Sequence, residues 1–170
     1  MDQGKILLAR SKGDYVIRLT GDVRLTLCST LEGCLQSMFA DPAFGSVTID
    51  ARDAECLDST TLGLLAKISF MSQAVTERVP SILTTNPDVT RLLSMMGFEG
   101  PIYVFVGEVP DVLSSVDMQS AKELEPCQCD EDEAKSRVLE AHRILMSINE
   151  SNHQQFRDLV AALEHNESST

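Results

Sequence analysis

The sequence predicts an α/β protein in which helices pack on a mixed β-sheet, followed by a C-terminal helical extension. Short β-branched runs alternate with amphipathic segments of helical spacing over residues 5–106. The first two runs are joined by a short polar turn that contains Gly, which indicates a hairpin. Residues 130–166 then carry apolar side chains three and four positions apart, which indicates further helix.

The first predicted elements are two strands, at residues 5–10 and 14–20, on either side of Ser11-Lys12-Gly13. A helix is predicted over residues 25–39, because apolar residues recur along it at helical spacing. Asp41-Pro42 ends this helix, since the residue before a proline is disfavoured in the α region. The third predicted strand covers residues 46–50 and has an apolar centre.

The second helix is predicted from Ser59 to about residue 75, with a wide apolar surface. A short strand over residues 80–85 follows. Asn86 is expected to cap a third helix, with Pro at its first position, and Gly97 to end it. Residues 102–106 predict the last strand, which completes the order β-β-α-β-α-β-α-β.

The domain is therefore predicted at residues 1–108, with a weakly ordered linker at 109–129 and a helical extension at 130–166. Acidic residues from Asp130 onwards indicate the start of a helix. Residues 147–152 are weak helix formers, so the extension is expected as one or two helices. Its apolar stripe would pack back on the domain, pair with a second copy in a homodimer, or bind a protein partner as an exposed helix.

Composition excludes several function classes. The formal net charge of −12 and the lack of Trp disfavour nucleic-acid binding, which needs a basic face and stacking aromatics. No apolar run approaches the roughly 20 residues of a membrane span, and the first residues lack a signal-peptide pattern. Five cysteines, an odd number, do not suggest a disulfide framework. We expect a cytoplasmic protein without membrane contact.

The most informative motif is a buried strand at residues 47–50 (VTID) followed by residues 57–65 (LDSTTLGLL). This pattern predicts that Ser59 lies in the first turn of a helix. The N–H groups of a helix N-terminus are unpaired and its dipole favours negative charge, so a phosphate on Ser59 would be electrostatically stabilised there. The alternative for a polar residue at this position is a routine helix cap.

These two motifs, with residues 86–93 (NPDVTRLL), resemble the STAS domain of bacterial anti-sigma factor antagonists, also called anti-anti-sigma factors. The resemblance covers residues 5–106. It implies that Ser59 is phosphorylated by a partner serine kinase, often itself the anti-sigma factor, and dephosphorylated by a serine phosphatase. It also implies that the unphosphorylated domain binds the partner and frees the sigma factor, so that the protein is a regulator and not an enzyme.

This sequence departs from the commonest family pattern, Asp-Ser-Ser-Gly, by having threonines after Ser59. Thr60 is therefore a second candidate phosphate acceptor. Asp58 is interpreted first as a helix cap. The expected partner surface consists of the first turns of this helix and a neighbouring strand end, namely Asp22, Asp58, Thr60, Thr61, Gly63 and Leu64. Asp50 is expected to end its strand on the same side of the sheet.

No cofactor or metal is expected. Cys127 and Cys129 with His142 fall short of a structural zinc set, and Cys28, Cys34 and Cys56 are interpreted as core residues. The histidines all lie in the extension, where the sequence shows no Ser or Cys partner for a hydrolase triad. The main alternative function is a non-switching scaffold, such as an accessory subunit of a transporter complex.

Overall fold

The predicted α/β fold is present in the computed structural model, which describes residues 3–168. The strands of the sheet are β1 (Lys5–Ser11), β2 (Asp14–Val23), β3 (Ser46–Leu57), β4 (Ser81–Leu83), β5 (Val104–Val106) and β6 (Lys122–Glu123). The helices packed on it and on one another are α1 (Leu25–Ala40), α2 (Ser59–Thr76), α3 (Pro87–Met95), α4 (Glu131–Ile148) and α5 (Glu150–Ser168).

The sheet is mixed and has the strand order β5-β4-β3-β2-β1-β6. Strands β2 to β5 run parallel to one another, whereas β1 is antiparallel to both of its neighbours, β2 and β6. Helices α1 and α2 begin directly after β2 and β3 end. The N-termini of α1 and α2 therefore meet at the carboxyl edge of the parallel strands, where open α/β sheets commonly bind their ligands.

Strand β3 is longer than predicted, because it continues to Leu57 instead of ending at residue 50. Its second half pairs with the end of β2 through two register irregularities, and Gly21 has a φ of 67° at this point. The expectation that Asp50 ends its strand beside Ser59 is therefore wrong. Asp50 lies in the middle of β3 and is 2% exposed.

The two faces of the sheet are covered differently. Side chains alternate between faces along a strand, so Ile17 and Ile49 lie in the large core together with the helices. Val16 lies in a smaller cluster with Leu83 and Leu113. The segment predicted as a linker thus supplies cover for the second face, with 3-10 turns at Asp111–Leu113 and Met118–Ser120, before it forms β6.

Helices α4 and α5 pack as a hairpin on the helical side of the protein. Asn149 separates them in extended conformation, and its side chain accepts a hydrogen bond from the backbone N–H of Asn152. The Asn152 side chain, 1% exposed, donates to the carbonyl of Met96 at the end of α3. The extension thus forms two helices, one of the two alternatives left open by the sequence, and the polar residue in the stripe is used for contact within the chain.

The length and apolar character of the helices bear on membrane insertion. Crossing a bilayer takes about 20 consecutive, mostly apolar residues. Among residues 3–168, no helix has both that length and that apolar character.

Candidate functional site

Asp58 connects the first turns of two helices. As the N-cap of α2, its Oδ1 accepts a hydrogen bond of 2.8 Å from the backbone N–H of Thr61. Its Oδ2 accepts a 3.2 Å hydrogen bond from the backbone N–H of Leu25, the first residue of α1. One carboxylate therefore satisfies an unpaired donor at each helix start, which supports the interpretation of Asp58 as a cap.

The two threonines of the motif are buried. Thr61 is 2% exposed. Its hydroxyl lies 2.7 Å from Asp58 Oδ1 and 3.2 Å from the Val23 carbonyl oxygen, and either oxygen can accept its hydrogen bond. Thr60 is 7% exposed and lies beside α4. Neither threonine can meet a partner or a kinase while the helices are packed in this way.

Ser59 is half-buried and occupies the first helical position, directly after the cap. Its Oγ lies 2.7 Å from Nε2 of His142 on α4. The other ring nitrogen, Nδ1, lies 2.6 Å from the Val138 carbonyl, which can only accept. In the neutral ring Nδ1 therefore carries the proton, and Nε2 accepts the hydrogen bond that the Ser59 hydroxyl donates.

Gly63 lies one turn after Ser59 on the same face of α2 and touches the backbone of α4. A Cβ placed on Gly63 would lie 2.5 Å from the carbonyl oxygen of Ala141 and 2.6 Å from its Cα and Cβ. Real Cβ atoms do not approach other atoms so closely, and backbone atoms cannot rotate away. Gly63 is therefore required by the close approach of α4.

Lys67, a further turn along, contributes charge to the same contact. Its Nζ forms ion pairs with Glu140 of α4, at 2.6 Å, and with Glu32 of α1. Arg137 of α4 binds the same Glu32 at 2.5 Å. Burial favours the neutral amine of Lys67, but the hydrogen bonds that Lys67 donates to the two glutamates outweigh this effect and raise the pKa of Lys67 above its ordinary value.

The remaining expected partner residues are Leu64 and Asp22, which lie in different places. Leu64 is 5% exposed and packs beneath α4. Asp22, near the end of β2, pairs with Arg24 through a 2.7 Å contact between Oδ2 and Nε. Its other oxygen, Oδ1, is buried and has no hydrogen-bond partner among the described residues. Asp22 thus keeps a free acceptor near the start of α1.

Ser59 and His142 also have the geometry of a nucleophile with its base. A substrate would have to reach Ser59 Oγ, however, and His142 is 3% exposed and packed against Phe156, with ring centroids 5.0 Å apart. The neighbouring cavity, lined in part by Thr60 and Ala141, has about 10 Å³, which is no more than the space of one water molecule. In this arrangement the pair joins α4 to α2, and almost none of the His142 ring is open to solvent.

The second face of the sheet carries a separate ionic cluster. Asp50 Oδ2 accepts hydrogen bonds from Arg18 at 3.0 Å and from Arg52 at 2.9 Å. Burial would raise the pKa of Asp50, but the bonds from the two arginines outweigh it and leave that pKa below its ordinary value. The cluster faces the segment that carries Leu113, on the opposite side from Ser59.

The cysteines and histidines do not converge on one point. Within the described residues, no group of three or more His, Cys, Asp or Glu side chains is arranged to hold a metal ion. Cys28 is buried, and burial raises the pKa of its thiol to about 12, so the thiol stays protonated near neutral pH. Cys56 is exposed, so its interpretation as a core residue is wrong.

Sequence reasoning missed the contact between α2 and α4, because Ser59 and His142 are 83 positions apart. The available signals were the glycine at position 63 and the alanine and histidine within the apolar stripe of the extension. Without the tertiary structure, nothing showed that these residues face each other. Comparisons with known proteins add no further guide, since no protein-family model matches the chain and no curated protein matches its sequence.

Proposed function

We propose that this protein is a partner-switching regulator of the anti-sigma factor antagonist class, in which reversible phosphorylation of Ser59 controls binding to a protein partner. The partner would be an anti-sigma factor with serine kinase activity, and a serine phosphatase would reverse the modification. Residues 1–108 would form the STAS domain. The protein would act in the cytoplasm by binding, without catalysis of its own.

The observation that carries the proposal is that Asp58, and not Ser59, caps α2. Asp58 supplies the cap of α2, so the Ser59 hydroxyl is not needed to satisfy the helix backbone. Ser59 is also the least buried hydroxyl of the motif, since Thr60 and Thr61 are 7% and 2% exposed. These placements support Ser59 over Thr60 as the acceptor.

The physical effect of the modification would be on binding. A phosphate adds about −1.5 to −2 charges at pH 7, and the N-terminus of α2 can accommodate it through the helix dipole. A partner that covers a neutral hydroxyl would instead have to bury a dianion next to Asp58, which is costly without a basic residue to pair with it. The domain would remain folded while the partner surface changed.

The test is mass spectrometry of the protein purified from its native cells, with pull-downs of the wild type, Ser59→Ala and Thr60→Val. We expect a phosphate within residues 57–67 that is lost in Ser59→Ala and kept in Thr60→Val, and a partner retained by the unphosphorylated form alone. If no growth condition yields a phosphate, and all three forms retain the same partners, the scaffold alternative takes the place of the switch.

A further inference from the structure

Ser59, Gly63 and Lys67 form one face of α2, because residues four apart lie one above another on a helix. Each of them meets α4: Ser59 contacts His142, Gly63 contacts Ala141, and Lys67 contacts Glu140. We call this face, together with Glu32 of α1, the α2 face. Three successive residues of α4 therefore contact three successive turns of α2.

The shape of the α2 face selects a helix with a small residue at its centre. At Gly63 the backbone of α4 approaches to a distance that no side chain on α2 would allow. The residue opposite is Ala141, which is 5% exposed, and a larger side chain there would have no space against Gly63. Matched small residues of this kind let two helix backbones pack closely.

The charges of the α2 face select the orientation of that helix. Lys67 faces an acid, Glu140, whereas Glu32 faces a base, Arg137. Both charges of the face are thus met by opposite charges three residues apart on α4. A helix in the reverse orientation would place like charges together, which is destabilising.

Helix α4 packs mainly on α2 and α5, so its departure would uncover Leu145 of the large core but would not unpair the sheet. The chain reaches it through an exposed segment that follows Leu124, whose backbone N–H donates to Ile6 beside β1. Its first turn, at Glu131, is also exposed. Docking buries the polar pair of Ser59 and His142, and such groups must give up their hydrogen bonds to water on docking, so the net stabilisation from this part of the contact is small.

Phosphorylation of Ser59 would change the contact with α4. Ser59 Oγ lies 2.7 Å from the imidazole of His142, which is itself buried. A phosphoryl group on this oxygen would remove the proton that Ser59 donates to Nε2 and would add about −1.5 to −2 charges beside the buried ring. We expect the modification to weaken the docking of α4.

We propose that the α2 face is a helix-binding surface, that α4 occupies it within the same chain, and that the protein partner presents an amphipathic helix of the same pattern that displaces α4. That helix carries a small residue opposite Gly63, an acid opposite Lys67 and a base opposite Glu32. The surface itself follows from the contacts above, and its assignment to the phosphorylation-controlled partner rests on the proposed function.

The test uses the full chain with Ala141→Leu and a fluorescent peptide of residues 130–149 as the probe. Leucine is nearly as good a helix former as alanine, so the substitution acts on the contact with Gly63 and leaves the α2 face intact. Ser136→Leu, at an exposed position of α4, is the matched control. A second peptide with Arg137→Glu and Glu140→Lys tests the charge pattern.

We expect faster hydrogen exchange across residues 131–168 of the Ala141→Leu protein, with the sheet unchanged. Its affinity for the peptide should exceed that of the wild type and of Ser136→Leu by at least about tenfold, because the tethered α4 no longer competes at its high effective concentration. The charge-reversed peptide should bind at least about tenfold more weakly than the native one.

Five results would overturn the proposal. Faster hydrogen exchange in the sheet of the Ala141→Leu protein would show that α4 is an integral part of the core. Unchanged exchange across residues 131–168 would show that no small residue is needed opposite Gly63. Failure of the opened protein to bind the peptide, or equal binding of both peptides, would remove the helix-binding surface. A wild-type dimer that Ala141→Leu dissociates would make a second copy the occupant. None of these measurements involves phosphate, so they are independent of the outcome at Ser59.

Discussion

The carboxylate of Asp58 accepts hydrogen bonds at the starts of two helices, α1 and α2. Asp58 and Leu25, the first residue of α1, are 33 positions apart in the sequence. Ser59, next to Asp58, makes no such contact with the helix backbone and instead meets His142. Adjacent polar residues thus have separate roles, one in holding the helix starts and one in contacting α4. The first role predicts a stability effect, and the second is addressed by the phosphorylation and peptide experiments above.

Substitution of Asp58 by alanine should lower the free energy of unfolding by about 2 kcal/mol, because it removes the cap of α2 and the bond to Leu25. Urea denaturation followed by circular dichroism measures this change. Asp53→Ala, at an exposed position of β3, is the control and should change stability by less than about 0.5 kcal/mol. Equal losses in the two variants would show that the capping bonds contribute nothing specific.

At the scale of elements, the crossing of α2 and α4 is the contact that covers Ser59. Gly63 permits it sterically, and Lys67 joins it to α1 through Glu32. A glycine inside a helix normally costs stability relative to alanine. Gly63 therefore stays compatible with a stable fold because it lets another helix pack against α2.

Two glycine substitutions separate these effects. Both Gly63→Ala and Gly33→Ala should gain about 0.5–1 kcal/mol from helix propensity. A Cβ at Gly33 of α1 meets nothing within 4 Å, so that variant should be more stable than the wild type. At Gly63 overpacking against Ala141 costs about 1–3 kcal/mol, so the net change should be destabilising by about 1 kcal/mol.

Urea denaturation of both variants, compared at neutral pH, provides the measurement. The sign of the change is the informative quantity, since the two substitutions are chemically identical and both lie within helices. If Gly63→Ala were stabilised as much as Gly33→Ala, the helices would have to lie farther apart than the contact with Ala141 requires.

For the whole molecule, the buried Asp50 makes stability depend on pH. Its pKa in the folded protein lies below the ordinary value near 3.9, because Arg52 and Arg18 outweigh the effect of burial. A lowered folded-state pKa means that the ionised carboxylate stabilises the fold above about pH 4. That contribution is lost as the pH falls through the folded-state pKa.

Asp50→Asn should therefore lower the free energy of unfolding at pH 7 by about 2 kcal/mol, since it leaves two arginines without their shared carboxylate. The difference from the wild type should shrink as the pH falls below about 4. Urea denaturation between pH 3 and pH 7 measures this, with the exposed Asp53→Asn as the control. Parallel pH profiles for wild type and Asp50→Asn would contradict the role given to the cluster.

Much of the fold was predictable because its signals are local. Asn86 caps α3 through a 3.0 Å hydrogen bond from Asp88, and Asp130 caps α4 through a 2.8 Å bond from Glu133, as their positions in the sequence predicted. Gly97, the second residue after α3, has a φ of 80°. Such features depend on a few neighbouring residues, so they can be identified without knowledge of the fold.

Other features depend on partners that lie far along the chain. Residues 51–57 form a strand because they pair with β2 across an irregular register, and their alternation of polar and apolar residues alone does not predict it. Strand β6 is two residues long and exists through its pairing with β1. Neither pairing leaves a pattern within its own segment that is strong enough to predict it.

The sequence by itself determined the α/β class, the helix caps and the location of Ser59 in the first turn of α2. Each follows from hydrophobic period, turn chemistry or backbone preference over a few residues. Only the tertiary structure decided what covers that turn, because the contact of Ser59 with His142 and of Gly63 with Ala141 brings together segments about 80 residues apart. Close packing between distant segments depends on the whole arrangement of sheet and helices, and no local pattern encodes it.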